Sequence, residues 1–246
     1  TAVGAAGTAS SIAGIPFFTA ESSSIYTHDV SGTDDTASYN TAYGIQAMDA
    51  ITTGDNNTAL GYQSLSANTT GPENVAIGAE SMKSNTTGGY NTALGVAAMA
   101  QNTTGARNIA IGHTAYDASD TENDNIAIGY AAMTTDSAGG TKNVVVGNYA
   151  GDAITSGDYN TGVGHNALTG CAAGSSNVAI GFEAGAGIET ANSNTAVGTY
   201  ALYGTTGNYN VAVGDNAAQA AMSGANNTAI GRNALSIGTS GHSNVC

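Results

Sequence analysis

The residues of this chain best suited to chemistry are four histidines, two cysteines and one short acidic run. His113 and His165 each follow a glycine, Gly112 and Gly164, at the same place in a repeated segment. If successive segments stack as β-layers at ~4.8 Å, the two lie ~14 Å apart. One metal ion cannot span that distance within a chain. Three copies of one histidine would converge only if that place faced a shared axis, so solvated surface imidazoles are the simpler expectation. His28 and His242 have no such counterpart. Asp117, Asp120, Glu122 and Asp124 offer the oxygen-rich setting that calcium prefers. The EF-hand spacing and the glycine-rich nonapeptide calcium repeat are both absent, and a solvated loop is expected instead. There is no Gly-x-Ser-x-Gly elbow, phosphate loop or zinc-protease motif. A glycosidase needs two placed carboxylates, and nothing singles out a pair. The chain therefore reads as a non-enzyme, with no catalytic residue, metal site or cofactor. Cys171 and Cys246 are too few for a disulfide framework. They read as small, semi-buried residues, with an interchain bridge as the sharper alternative.

Charge narrows the partners. The formal net charge is −14, and the only basic residues are the scattered Lys83, Arg107, Lys142 and Arg232. Nucleic acids and anionic membrane surfaces need clustered cations, so neither is an expected partner. No apolar run is long enough for a membrane-spanning helix. With 35 Gly, no Trp and few large aliphatics, composition alone predicts a flexible polar chain. The order of the residues overturns that prediction.

The five-residue pattern Asn-x-small-aliphatic-Gly begins at Asn40, Asn57, Asn74, Asn91, Asn108, Asn125, Asn143, Asn160, Asn177, Asn194, Asn210 and Asn227. It closes at Gly44, Gly61, Gly78, Gly95, Gly112, Gly129, Gly147, Gly164, Gly181, Gly198, Gly214 and Gly231. The steps are 17 residues, with one of 18 and one of 16. Such a period is the signature of a solenoid. Counting the asparagine as place one, place eight is always Ala or Ser, and place nine is usually large and apolar, as in Met48, Leu65 and Leu168. A polar turn such as Asn68-Thr69-Thr70-Gly71 follows.

These elements must be strands. A helical array needs ~30 or more residues per repeat, whereas 17 suit two short strands and two turns. Segments such as Ile109-Ala110-Ile111 alternate with period two. The invariant glycine implies a positive φ or a close backbone approach. Place three is Ala in all copies except Val145 and Gly162, which implies a tight layer. Places two and four carry larger groups on the opposite side. Both faces are thus nonpolar, as in strands covered on both sides. One face is expected to line a narrow interior and the other to meet a second copy of the chain. The asparagines are expected to stack into a ladder that bonds turn backbone and the Asn of adjacent coils. A ligand-binding row is the alternative.

The array covers residues 40–243 and is read as twelve copies. Residues 1–4 look like the end of a preceding repeat, and 244–246 like the start of another, so the chain reads as part of a longer molecule. Residues 5–39, with Ile15-Pro16-Phe17-Phe18 and Asp34-Asp35, read as an insertion or junction whose aromatics cover a solenoid end or make a contact site.

At these motifs the sequence resembles the head repeats of trimeric autotransporter adhesins, which share the Asn-x-Ala-Ile-Gly core. The 17-residue form with its Asn-Thr-Thr-Gly turn, as in Asn85-Thr86-Thr87-Gly88, is similar to repeats of bacteriophage tail fibres. The resemblance implies an all-β, left-handed parallel β-roll, with two further copies completing a side-by-side homotrimer. It implies an extracellular fibre on a virion or a bacterial surface, with a host glycan or protein receptor as possible contact. The adhesins' membrane barrel and coiled-coil stalk have no counterpart in the sequence, and neither does a fibre chaperone. An ice- or glycan-binding solenoid is the reading from another class. It rests on Thr41, Thr58, Thr92, Thr161, Thr195 and Thr228 at place two, a row that Val75, Ile109, Ile126, Val144, Val178 and Val211 interrupt.

Overall fold

Seventeen residues per coil are used for one short strand and a long succession of turns. The computed structural model describes residues 9–12, 15–19, 25–26, 36–135, 139–220, 222–237 and 240–246. The chain divides into two compact units, Thr1–Thr121 and Glu122–Cys246. Each is a parallel β-solenoid, and the described residues contain no helix.

In the first unit, β1 (Ala9–Ile12), β2 (Ile15–Thr19) and β3 (Ile25–Tyr26) pair antiparallel in sequence. They fall in the segment read as an insertion, and β3 joins it to the solenoid by pairing parallel with β4 (Thr41–Tyr43). The ladder continues in parallel through β5 (Thr58–Leu60), β6 (Val75–Ile77), β7 (Thr92–Leu94) and β8 (Ile109–Ile111). The first four residues, His28 and the Asp34-Asp35 pair lie outside the described residues, as do the side chains of Phe17 and Phe18.

In the second unit the parallel strands are β9 (Ile126–Ile128), β10 (Val144–Val146), β11 (Thr161–Val163), β12 (Val178–Ile180), β13 (Thr195–Val197), β14 (Val211–Val213) and β15 (Thr228–Ile230). The 18- and 16-residue steps keep the same register, because strand residues pair like with like (Val145↔Ala127, Ala196↔Ala212). The length change is absorbed in the turns. Val245 makes an isolated parallel bridge to Thr228, so residues 244–246 follow the repeat.

The second strand expected in each coil is not formed; among the described residues each coil has one three-residue strand. Backbone conformation is the reason. Places seven, nine and seventeen take left-handed φ values, as at Gln63 (53°), Leu65 (52°) and Glu73 (55°). Strand φ values are negative, so this alternation breaks a strand while still aiming N–H groups along the coil axis. Gln63 N–H donates to Ile45 O of one neighbouring coil, and Leu65 N–H to Ser81 O of the other. Left-handed conformations cost non-glycine residues roughly 1–2 kcal/mol each. The bonds made to both neighbouring coils offset that cost.

The interior is narrow. Places one, three, eight and nine are buried through nearly every described coil, as at Asn91, Ala93, Ala98 and Met99. Volume is traded between places. Where place nine is Gly151, a Cβ there would lie 2.8 Å from Val145 Cγ1 and 2.9 Å from Ile154 Cδ1. Those larger neighbours fill the space that a Leu or Met takes elsewhere, as close packing demands. Val145 also pairs with Gly162 of the next coil, so the two exceptions to Ala at place three sit side by side.

The glycine at place five is fixed by geometry. Gly78 has φ +134°, and a Cβ on it would lie 2.3 Å from Gly95 O of the adjoining coil. Gly78→Ala is expected to destabilise the fold by more than ~1 kcal/mol, read as a lower denaturation midpoint in urea. A midpoint equal to that of the unaltered chain would refute this account of place five.

Candidate functional site

The densest set of buried polar side chains is the asparagine column at place one. Most of these asparagines are bonded in two directions. The Oδ1 accepts the backbone N–H of the next coil's Asn. In the first unit Asn57, Asn74, Asn91 and Asn108 donate to Asn40, Asn57, Asn74 and Asn91 at 2.7–3.0 Å. In the second unit the series runs from Asn143 N–H on Asn125 Oδ1 at 2.8 Å to Asn244 N–H on Asn227 Oδ1 at 3.0 Å. The amide nitrogen donates to the place-fifteen carbonyl of its own coil, as from Asn91 to Gly105 O at 2.8 Å. One amide therefore closes its coil and fixes the next.

A second ladder runs the other way and was missed in the sequence. Two residues before the repeat asparagine in the second unit, a side-chain acceptor takes the backbone N–H of the preceding coil. Thr141 N–H donates to Asp158 Oδ1 (2.7 Å), Asp158 N–H to Ser175 Oγ (3.0 Å), Ser175 N–H to Asn192 Oδ1 (2.8 Å) and Asn192 N–H to Asn208 Oδ1 (2.7 Å). The signal was the run of Asp, Ser and Asn at one repeat place. It is easy to overlook because residue identity varies while acceptor chemistry does not.

Inside the first unit a buried amide row stands at place twelve. Asn85 Nδ2 donates to Asn68 Oδ1 at 2.9 Å, and Asn102 Nδ2 to Asn85 Oδ1 at 2.8 Å. Cys171 occupies this place in its own coil. It is free and buried, with Sγ 3.6 Å from Gly174 O and 3.9 Å from Asn177 Nδ2. Burial pushes its thiol up to about 11, partly offset by the Gly174 and Asn177 hydrogen bonds. Cys246 is free and exposed.

The chemical candidates are dispersed. His113 and His165 are both exposed, and His165 is flanked by the rings of Tyr149 and Phe182. His242 Nδ1 accepts Ala225 N–H at 3.0 Å. In the acidic run, burial raises the Asp117 carboxyl above its ordinary value, against backbone N–H bonds and nearby His113, which lower it. Glu122 is buried and accepts Gly139 N–H at 3.1 Å. Among the described residues no group of three or more His, Cys, Asp or Glu is placed to hold a metal ion. No described helix is long and apolar enough to cross a membrane.

The remaining feature is an open apolar face. Along the solenoid strands place three is buried, place two is half-buried except at the exposed Thr41, and place four is half-buried or exposed. Leu60 and Leu94 are 45% and 43% exposed in the first unit, as is Ile180 (43%) in the second. Comparison with family models, with curated proteins and with solved structures gives no match.

Two outcomes test this geometry. Asn91→Ala removes the acceptor for Asn108 N–H and the donor to Gly105 O, both buried. Each orphaned group costs roughly 1–3 kcal/mol, so the unfolding midpoint is expected to drop well below that of an exposed-site variant such as Asn226→Ala. Thiol titration of the folded chain at pH 8 is expected to modify Cys246 alone. The folded pKa of Cys171 is raised, so its neutral form adds stability below the unfolded value, and that stability is lost as pH rises through about 11. Rapid modification of both thiols at pH 8 would contradict this.

Proposed function

We propose that this chain is a structural segment of a trimeric fibre, of the phage-tail or virion type, that projects from its anchor and contributes to host-surface attachment. The observation that carries the reading is the open row of aliphatic side chains at place four of each unit. Strands of parallel sheets are normally covered on both faces. Here one face closes on the coil's own interior, while the other leaves Leu60, Leu94, Val163 and Ile180 partly in water. Fully burying each such side chain stabilises by roughly 1.5–3 kcal/mol.

A further copy of the chain is the partner that matches this row, because it offers the same aliphatic groups at the same coil spacing. Closed point-group symmetry then gives every chain an equivalent contact. Three left-handed rolls with these rows turned inward form the proposed assembly, outside the cell or on a virion. The acidic surface, with its four basic residues, keeps assembled particles apart. The head of a bacterial trimeric autotransporter adhesin is the second reading, favoured by copies such as Asn108-Ile109-Ala110-Ile111-Gly112.

Light scattering on the purified chain tests the proposal. A particle of three times 24.0 kDa is expected, and Ile180→Asp is expected to shift it toward the single-chain mass. A stable, folded single chain of the unaltered protein would overturn the assembly and favour a lone binding solenoid.

A further inference from the structure

One ring per coil runs along a corner of the second unit. Tyr130, Tyr149, His165, Phe182 and Tyr200 come from five successive coils, at places six or seven, and Tyr203 adds a sixth ring beside Tyr200. Their centroids are 5.3, 5.8, 5.6, 5.4 and 5.9 Å apart in that order. The His165–Phe182 pair is stacked, and the others meet edge to face. These rings are not in the core: Tyr130, Tyr149, Phe182 and Tyr203 are all at least 40% exposed.

The repeat supplies its own control. The same two places in the first unit hold Ile45, Tyr62, Ala79, Val96 and His113, and Gln46, Gln63, Glu80, Ala97 and Thr114. No aromatic series forms there, and Gln63 Nε2 instead donates to Gln46 Oε1 at 2.9 Å. The coil therefore does not require aromatic rings at this corner. Exposed rings in an unbroken line are a departure from the repeat that backbone geometry does not explain.

We propose that this ridge, Tyr130 to Tyr203, is a binding site for a neutral oligosaccharide chain. Aromatic rings offer a negative face to the weakly positive C–H groups of a pyranose. Successive rings at less than 6 Å match a ligand that is itself a chain of small rings. Polar groups stand beside the ridge. Asn148 is exposed, and its Oδ1 bond to Tyr130 N–H (2.9 Å) leaves its amide nitrogen unused by that contact. Asn166 and Glu183 are paired at 3.5 Å in the next coils. These can take sugar hydroxyls. Stacking on nucleic-acid bases also uses aromatic rows, but a net charge of −14 repels a polyanion. A neutral ligand carries no such penalty. The inference supplies an attachment site for the fibre proposed above, yet it does not depend on chains associating.

The test is saturation-transfer NMR and calorimetric titration of the full chain with cellohexaose, maltohexaose and chitohexaose, with polygalacturonate as the anionic comparison. The chain has no Trp, so the aromatic protons irradiated belong to Tyr, Phe and His, and the double variant below assigns the contact to the ridge. Saturable binding of at least one neutral hexasaccharide, and weaker binding of polygalacturonate, is the expected result. The double change Tyr149→Ala and Phe182→Ala should weaken it at least ~10-fold. Phe182→Tyr and, in the first unit, Tyr62→Ala should leave it intact, with particle mass unchanged throughout. No saturable binding by the unaltered chain to any of the three would overturn the proposal. So would unchanged binding by the double variant, or a change in particle mass with no sugar binding, which would mark the ridge as a chain–chain contact.

Discussion

Within each unit the structure depends on one bond: the asparagine side-chain carbonyl that accepts the next coil's asparagine N–H. It is buried and repeats at 2.7–3.0 Å. A buried amide that lost this partner would cost more than the bond contributes when made, so the spacing between coils is held at every step. Gly at place five follows, because at that spacing no Cβ fits against the next coil's carbonyl. Ala at place three follows for the same reason of room.

This arrangement explains how so little hydrophobic bulk suffices. The interior is one small residue, one amide and one large side chain wide, and coils contribute to one another's stability as neighbours. Backbone groups are satisfied from coil to coil, even through the left-handed turns, where a conventional strand would have stopped. Left-handed residues are tolerated in such numbers because every coil repeats them in register with its neighbours.

The same economy leaves the outer surface free to vary. Within each unit place four keeps a mostly aliphatic row, which is the basis for proposing association with further copies. Places six and seven are not constrained, and there the two units differ in kind: glutamine, valine and threonine in one, a line of rings in the other. A surface that the fold does not dictate is where binding chemistry can be written without disturbing the core.

Sequence by itself determined the repeat, its period and the parallel β-solenoid class, because each relies on patterns local to one coil and multiplied along the chain. It also put the small residue of place three on the face opposite places two and four, since alternation of side chains in a strand follows from backbone geometry alone. What only the tertiary structure decided involves contacts one coil away. The turns that replaced the expected second strand rest on φ values that Gln63, Leu65 and Glu73 adopt only when both neighbouring coils supply partners. The opposing ladder through Asp158, Ser175 and Asn192 was hidden because three residue types do the same job. The ring series was hidden because Tyr149 and Tyr200 sit one place later than Tyr130, His165 and Phe182, and only stacking brings those side chains into line.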